Sequence, residues 1–323
     1  MRVFVTGGAG FIGGAVVRRL VARGDRVVAM VRDPSQASDL RELGVDLRQG
    51  DLARTPAIVD AMRGSDAAIH LAGSYRVGIP ASERPAMLDA NLAVVHRVLD
   101  AVATAGLERI VHASTIGVFG DTHGKIVDER HRRDLADGFL SYYDETKFLA
   151  HRAAEERHAT GSPVVIVMPG MAYGAGDHSA IGAQLKAARD GTARYVALGD
   201  TGISPVFVDD LAAGIVGALD RGRIGEAYVL AGENVRLRDA LAVAARVGGQ
   251  RLPRLQIPDV VVRVGSRAPA WLARMAGLPD DLGEVLTTAL GVTFWASSAK
   301  AAAELGYTPR DLASGIRVAF DDA

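Results

Sequence analysis

Apolar and polar positions along this chain follow two alternating rhythms. Short strand-like runs occur at Arg2–Thr6, Arg26–Val31, Val45–Gln49, Asp66–Leu71, Arg109–Ala113 and Val164–Met168. Stretches with apolar residues three or four apart fill the gaps, at Phe11–Arg23 before Gly24, at Glu83–Ala105 and at Ser141–Ala159. The first rhythm predicts strands and the second helices. Taken in turn they predict repeated βαβ units, hence a parallel sheet with helices on both faces.

The regularity fades after Pro169-Gly170. Helical spacing returns at Ile181–Asp190 and Asp209–Arg221, and Ala227–Ala231 reads as one more short strand. The C-terminal third reads as helical, punctuated by Pro253, Pro258, Pro269, Pro279 and Pro309. The predicted fold is α/β. A doubly wound parallel sheet of Rossmann type spans 1–168, and a smaller, mostly helical substrate-binding part spans 169–323. A segment near 205–231 is expected to return to the sheet. Without an evident flexible linker, the two parts should pack closely and share a cleft.

Composition narrows the possibilities. At 323 residues with 49% hydrophobic and 23% charged positions, the chain can bury a large core. A net charge of −1 argues against nucleic acid as a partner. Zero cysteines remove disulfides, thiolate catalysis and cysteine zinc sites. The eight histidines form no H-E-x-x-H pattern, so no metal site is expected. No window of about 20 clean apolar residues exists, so no membrane span is expected. The first strand begins at Arg2, which leaves no room for a leader, and a cytoplasmic protein is the expectation. Val260–Leu278 carries Arg263, Arg267 and Arg274 among apolar residues and reads better as a helix over the cleft than as a membrane-surface segment.

Between the first strand and the first helix lies Thr6-Gly7-Gly8-Ala9-Gly10-Phe11-Ile12-Gly13. Glycines there allow a sharp turn and a close approach of backbone to a pyrophosphate, which the helix N-terminus favours. The spacing is G-x-x-G-x-x-G rather than G-x-G-x-x-G. Its position immediately after strand one marks Thr6, Gly7, Gly10, Phe11, Ile12 and Gly13 as a dinucleotide cradle. Strand two ends in Val31-Arg32-Asp33. Val31, where an acid usually reads the ribose 2′-hydroxyl, cannot accept a hydrogen bond, whereas Arg32 can pair with a 2′-phosphate. NADP(H) is therefore favoured and NAD(H) stays possible, since Asp33 could be the acid displaced by two. Asp51-Leu52 after strand three can border the adenine, with Asp51 also placed to cap the next helix. The small residues of Leu71-Ala72-Gly73 after strand four allow backbone to lie against the cofactor, while His70 reads as a core histidine.

Strand five ends in Ser114-Thr115, and hydroxyls at the carboxyl edge of a parallel sheet point into the ligand crevice. Tyr143 and Lys147 lie one helical turn apart on a shared face. A phenol with a pKa of about 10 is a poor acid-base at neutral pH. A lysine cation nearby is expected to lower it, and Lys147 could also hold the nicotinamide ribose. Thr115 could orient a substrate oxygen, with Ser114 as fallback. These residues point to hydride and proton transfer.

Together the residues resemble an extended short-chain dehydrogenase/reductase of the NAD(P)-dependent epimerase/dehydratase superfamily. The resemblance rests on Thr6–Gly13, Gly50-Asp51-Leu52, His70–Gly73, Asn91, Ser114–Gly120, Tyr143/Lys147, Pro169, Tyr173–Asp177, Phe207–Ala212 and Ala303–Arg310. It implies that Thr115, Tyr143 and Lys147 are catalytic, that Asn91 supports the site and cofactor, and that Pro169 borders the cofactor. Asp209 and Asp210 read as helix caps. It also implies a homodimer through the helices containing Glu83–Ala105 and Ser141–Ala159. Val31-Arg32-Asp33-Pro34 is similar to the dihydroflavonol reductase and 3β-hydroxysteroid dehydrogenase branch. The Arg-Pro and asparagines typical of nucleotide-sugar enzymes are missing near Met168–Tyr173 and Ala227–Gly232. The expected activity is therefore NADP(H)-dependent reduction of a largely apolar or aromatic carbonyl substrate. Its pocket is expected from Ser74–Pro80, Gly170–Asp177 and the helices around Trp271–Met275. A nucleotide-sugar epimerase or dehydratase is the first rival, and a cofactor-sensing scaffold with a vestigial site the second.

Overall fold

The computed structural model describes residues 1–257 and 290–321. Its strands, in chain order, are β1 (Arg2–Thr6), β2 (Arg26–Val31), β3 (Asp46–Gln49), β4 (Ala67–His70), β5 (Ile110–Ala113), β6 (Val164–Pro169), β7 (Met171–Tyr173), β8 (Gly202–Ile203), β9 (Pro205–Phe207), β10 (Ala227–Leu230) and β11 (Val235–Arg236). Its α-helices are α1 (Phe11–Ala22), α2 (Ser38–Glu42), α3 (Thr55–Met62), α4 (Arg84–Leu88), α5 (Val94–Ala105), α6 (Tyr142–Ala159), α7 (Ala180–Arg189), α8 (Val208–Arg221), α9 (Leu237–Val247), α10 (Ala299–Leu305) and α11 (Leu312–Asp321).

The main sheet runs β10-β6-β5-β4-β1-β2-β3, and every neighbouring pair is parallel. Strands β1, β4 and β6 are almost continuously apolar because helices cover both of their faces. On one face α1 packs against α8, over Val3, Val5, Val17, Leu20, Ile69 and Ile215. On the other, α3, α5 and α6 cover Phe4, Ala68, Ile110, Ile166 and Met168. The strand order reverses between β1 and β4, and the carboxyl ends of those strands open the crevice in which such sheets take ligands.

The expected single helix over Glu83–Ala105 is broken. A 3₁₀ turn at Ala81–Glu83 leads into α4, and Asp89–Ala93 widens into a π-helical segment before α5. The widened turn carries the buried Asn91, whose amide is held by Ser74 and Thr146. Such bulges are frequent at functional sites. A second correction concerns α8. Its N-cap is Phe207, so Asp209 and Asp210 sit in the first turn, where the helix dipole favours negative charge. Asp210 pairs there with Arg310 at 2.9 Å.

The segment near 205–231 divides between two sheets. β10 adds to the edge of the main sheet beside β6, whereas β9 pairs with β7 in a separate two-stranded sheet. Residues 292–297 run back across the molecule and bridge both halves, Val127 to Ala296 and Gly202 to Thr293. Among the described residues no helix is long and apolar enough to cross a membrane. The segments Val260–Leu278 and Trp271–Met275, named above as a surface helix and a pocket wall, lie outside the described residues.

Candidate active site

The glycine loop is shaped first by packing. Gly7 has φ +74°, and a Cβ there would lie 2.6 Å from the Ala72 backbone nitrogen. A Cβ on Gly13 would fall 1.9 Å from the Gly7 carbonyl oxygen. These two glycines let β1, α1 and the end of β4 meet. Gly10 differs: it is exposed, and a Cβ would meet nothing closer than the Gly7 oxygen at 3.3 Å. Helix α1 has no side-chain cap at Gly10 and no acid in its first turn. Its leading N–H groups, with Phe11 and Ile12 beside them, are thus free of competing negative charge, which fits a pyrophosphate. Thr6 does not present its hydroxyl to this cradle. The side chain is buried, bonded to His70 Nδ1 at 2.6 Å and accepting from Ala72 N–H at 3.4 Å, so it fastens β1 to β4.

At the end of β2, Val31 is buried and Arg32 is exposed, its guanidinium without a protein partner among the described residues. Asp33 is committed elsewhere. Its carboxylate accepts from Ser35 N–H at 2.9 Å and Ser35 Oγ at 2.7 Å, which caps a 3₁₀ turn and lowers its pKa. Asp51 closes its own turn by accepting from Ala53 N–H at 2.9 Å. Helix α3 is capped by Arg54, so the capping role expected for Asp51 is not realised. Leu52 packs on the core beneath α3. Pro169 ends β6 beside Leu230.

The second half of the site is carried by α6. Ser141 caps the helix by accepting from Asp144 N–H at 3.1 Å, and Asp144 accepts from Leu140 N–H at 2.9 Å. Together these two bonds fix the first turn, which holds Tyr143. One turn on, Lys147 Nζ donates to the Ala113 carbonyl at the end of β5, 3.3 Å away. A Cβ on Gly73 would lie 4.0 Å from the same Nζ and 3.3 Å from Asn91 Oδ1, so the β4 and β5 ends, α6 and the π-helical segment converge there. Thr115 is half-buried at the start of a 3₁₀ turn, its Oγ1 accepting from Gly117 N–H at 3.1 Å, with its own hydroxyl proton still to give. Ser114, the fallback, is buried and bonded to His151 Nδ1 at 2.9 Å.

The electrostatics depart from expectation. Burial pushes the Lys147 ammonium down to about 8. The Tyr143 phenol is pushed up rather than down, by burial first and then by Tyr75 and the Asp144 carboxylate. Burial disfavours the phenolate, while Lys147 Nζ is engaged by the Ala113 carbonyl. Tyr143 is therefore held as a neutral phenol. His70 stacks on His112 with ring centroids 5.3 Å apart. Burial and the Lys147 charge hold His70 at about 3; burial, then His70 and Lys147, hold His112 well below its ordinary value. Both imidazoles are neutral at physiological pH, which agrees with a core role for His70.

Three connections were not foreseen. Asn91 Oδ1 accepts from Ser74 N–H at 2.8 Å, while Nδ2 donates to the Ser74 carbonyl and to Thr146 Oγ1, each at 3.0 Å. One amide thus grips the loop after β4 and ties it to α6. The gripped loop sets Tyr75 against Tyr143, edge to face, with centroids 4.8 Å apart. Arg133 forks onto Asp144, with Nη1 to Oδ1 at 2.8 Å and Nη2 to Oδ2 at 2.7 Å, both side chains buried.

The sheet, glycine cradle and Tyr/Lys helix define an NAD(P)-dependent enzyme of extended short-chain dehydrogenase/reductase type. The family model of the NAD dependent epimerase/dehydratase family matches residues 3–231, and the chain belongs to that family. A Synechocystis sp. protein, "Putative dihydroflavonol 4-reductase", is 31% identical over 99% of this chain and 92% of its own length. A Stigmatella aurantiaca protein, "4-hydroxy-2-methyl-3-oxo-4-farnesyl-3,4-dihydroquinoline-1-oxide ketoreductase", is 31% identical over 96% of this chain and 92% of its own. The dTDP-glucose 4,6-dehydratase DesIV from Streptomyces venezuelae, solved as a double mutant with NAD bound, shares the fold. Its TM-score is 0.77 at 23% identity, covering 99% of this chain and 95% of that one.

Proposed function

We propose that this protein is an NADP(H)-dependent carbonyl reductase, or alcohol dehydrogenase in the reverse direction, acting on a largely apolar or aromatic ketone or aldehyde. The observation that carries the reading is geometric: Tyr143 lies in the first turn of α6, Lys147 one turn on reaches the Ala113 carbonyl at the end of β5, and Thr115 follows that same strand end. Residues Gly7, Gly10, Gly13, Leu71, Ala72, Gly73, Asn91 and Lys147 would hold the cofactor, with Phe11, Ile12, Leu52 and Pro169 along its length. When bound there, the nicotinamide would supply hydride chemistry at a substrate carbonyl. Tyr143 Oη gives its proton to the carbonyl oxygen as negative charge develops there. The Thr115 hydroxyl donates to the same oxygen and fixes its orientation. Lys147, buried against the Ala113 carbonyl, keeps positive charge beside the tyrosine as it gives up its proton.

The free Arg32 guanidinium supports NADP(H) over NAD(H), because it can fork onto a 2′-phosphate while Asp33 is occupied by Ser35. The reductase names of relatives matched over nearly their whole length support the same branch. Fold likeness to a sugar-nucleotide dehydratase supports the alternative of an epimerase or dehydratase that recycles a retained cofactor. One experiment separates them. Purified protein is mixed with NADPH and a panel of aryl ketones, flavanonols, steroids and short aldehydes, and cofactor oxidation is followed. Substrate-dependent oxidation that disappears in Tyr143→Phe, with NADPH binding retained, is expected. No oxidation across the panel, together with NAD(H) released only on denaturation, would overturn the reductase reading. The homodimer expected from the family, and the division into a cofactor part and a substrate part, belong to the same proposal.

A further inference from the structure

We infer that Tyr75 is the specificity-determining surface of this site, a fixed aromatic wall against which a flat aryl or conjugated group on the carbonyl carbon stacks. The inference deepens the proposed reductase function and rests on it for the identity of the reacting group. Four observations lead to it. Tyr75 is 68% exposed, although its ring packs beside the half-buried Tyr143. It is not a loose surface residue, because Asn91 holds both the N–H and the C=O of the preceding Ser74. The next residue in the chain, Arg76, pairs with Glu83 in the turn that leads into α4. The ring meets Tyr143 edge to face at 4.8 Å, an arrangement that leaves broad ring surface open.

Geometry then limits what can lie there. A carbonyl oxygen within reach of Tyr143 Oη brings its own substituents to the neighbourhood of the Tyr143 ring. The group on the Tyr75 side meets a flat, apolar face whose position was fixed before binding. A pre-positioned aromatic ring loses little conformational freedom on contact, so it rewards flat partners by ring–ring attraction and covers apolar area at low cost. A sugar ring studded with hydroxyls gains less from that wall than an aryl group does. The Tyr75 hydroxyl is not needed for stacking.

The test uses two ketones of matched size, acetophenone and cyclohexyl methyl ketone, with NADPH oxidation giving kcat/KM. Binding of each ketone to the NADP⁺-loaded protein is measured in parallel by calorimetry. Wild type is expected to favour acetophenone. Tyr75→Phe should keep that preference. Tyr75→Leu should reduce kcat/KM and affinity for acetophenone about tenfold, the scale of one lost aromatic pair, with under about threefold change for the cyclohexyl ketone. Equal losses for both ketones, or a Tyr75→Leu variant that still favours acetophenone, would overturn the inference. Binding preference that disappears in Tyr75→Leu without any turnover in wild type would uphold the aromatic wall and defeat the reductase reading instead.

Discussion

Replacing Arg133 by methionine should destabilise the protein and loosen the helix that carries Tyr143 and Lys147 at one stroke. The Arg133 and Asp144 side chains are 4% and 8% exposed and joined by two short, parallel hydrogen bonds. Removing one partner of such a buried pair typically costs about 3–5 kcal/mol, because the other charge is left without compensation. Asp144 retains the Leu140 N–H bond and sits in the first turn of α6, where the helix dipole offsets about 0.5–1 kcal/mol. The expected net loss is about 2–4 kcal/mol. With unfolding entropy near 2.1 cal/mol/K per residue, a chain of this size should lose roughly 3–6 °C in Tm. The assay is thermal unfolding of wild type, Arg133→Met, Asp144→Asn and the double variant. The double variant, which replaces the ion pair by two neutral groups, should recover most of the loss, giving a coupling energy of about 2 kcal/mol. Single losses that add in the double variant, or an Arg133→Met variant within about 0.5 kcal/mol of wild type, would refute the reasoning.

Other consequences are as direct. Lys147→Met should stabilise the protein by about 3 kcal/mol at pH 7 while abolishing turnover, because burial lowers the Lys147 pKa from 10.5 to about 8. Below pH 8 the folded state bears the full cost of a buried charge. Between 8 and 10.5 that cost fades, so wild type should gain on the variant as pH rises through this window; denaturant midpoints across that range test it. His112→Leu should blunt acid unfolding: His112 is held neutral when folded and protonates near 6.5 when unfolded, so wild-type stability falls as pH drops below 6.5. A smaller difference between pH 7 and pH 5 melts in the variant is the expected result, and identical differences would count against it. Arg32→Ala should weaken NADPH binding about tenfold or more with little effect on NADH, as read by nucleotide fluorescence titration; equal weakening would remove the 2′-phosphate argument.

Much of this architecture is written in the chain itself, for physical reasons that can be named. Val3–Val5, Ala67–Ile69 and Val164–Met168 are apolar without alternation because both faces of their strands are covered, and that signature survives without tertiary knowledge. Gly7 and Gly13 are demanded by backbone contacts so close that no other residue fits. Tyr143 and Lys147 are legible because helical spacing alone puts them together. What stayed hidden depends on long-range partners. Nothing local marks Asp89–Ala93 as a widened turn, since the bonds of Asn91 go to Ser74 and Thr146, 17 and 55 residues away. Arg133 sits in the charged run Glu129-Arg130-His131-Arg132-Arg133-Asp134, where it looks like any solvated cation until Asp144 closes over it. The direction of the Tyr143 shift was missed because spacing reports proximity of charge but not the depth of burial that opposes it.

The edge strand β10 is sealed by residues far from it in sequence. Glu129 accepts from Val229 N–H at 2.7 Å, Ser298 Oγ accepts from Ala231 N–H at 2.9 Å, and Lys300 donates to the Ala227 carbonyl at 2.7 Å. Two of the three seals come from the final tenth of the chain. During synthesis the sheet can therefore assemble through β10 while its last edge still lacks its cover and offers unpaired backbone to any passing strand. A nascent chain that has made β10 but not yet Ser298 and Lys300 should therefore aggregate more readily than one that has made all of them. Truncation just before residue 298 should trap the molecule in that sticky state, even though every residue of the glycine cradle and the Tyr/Lys pair would remain.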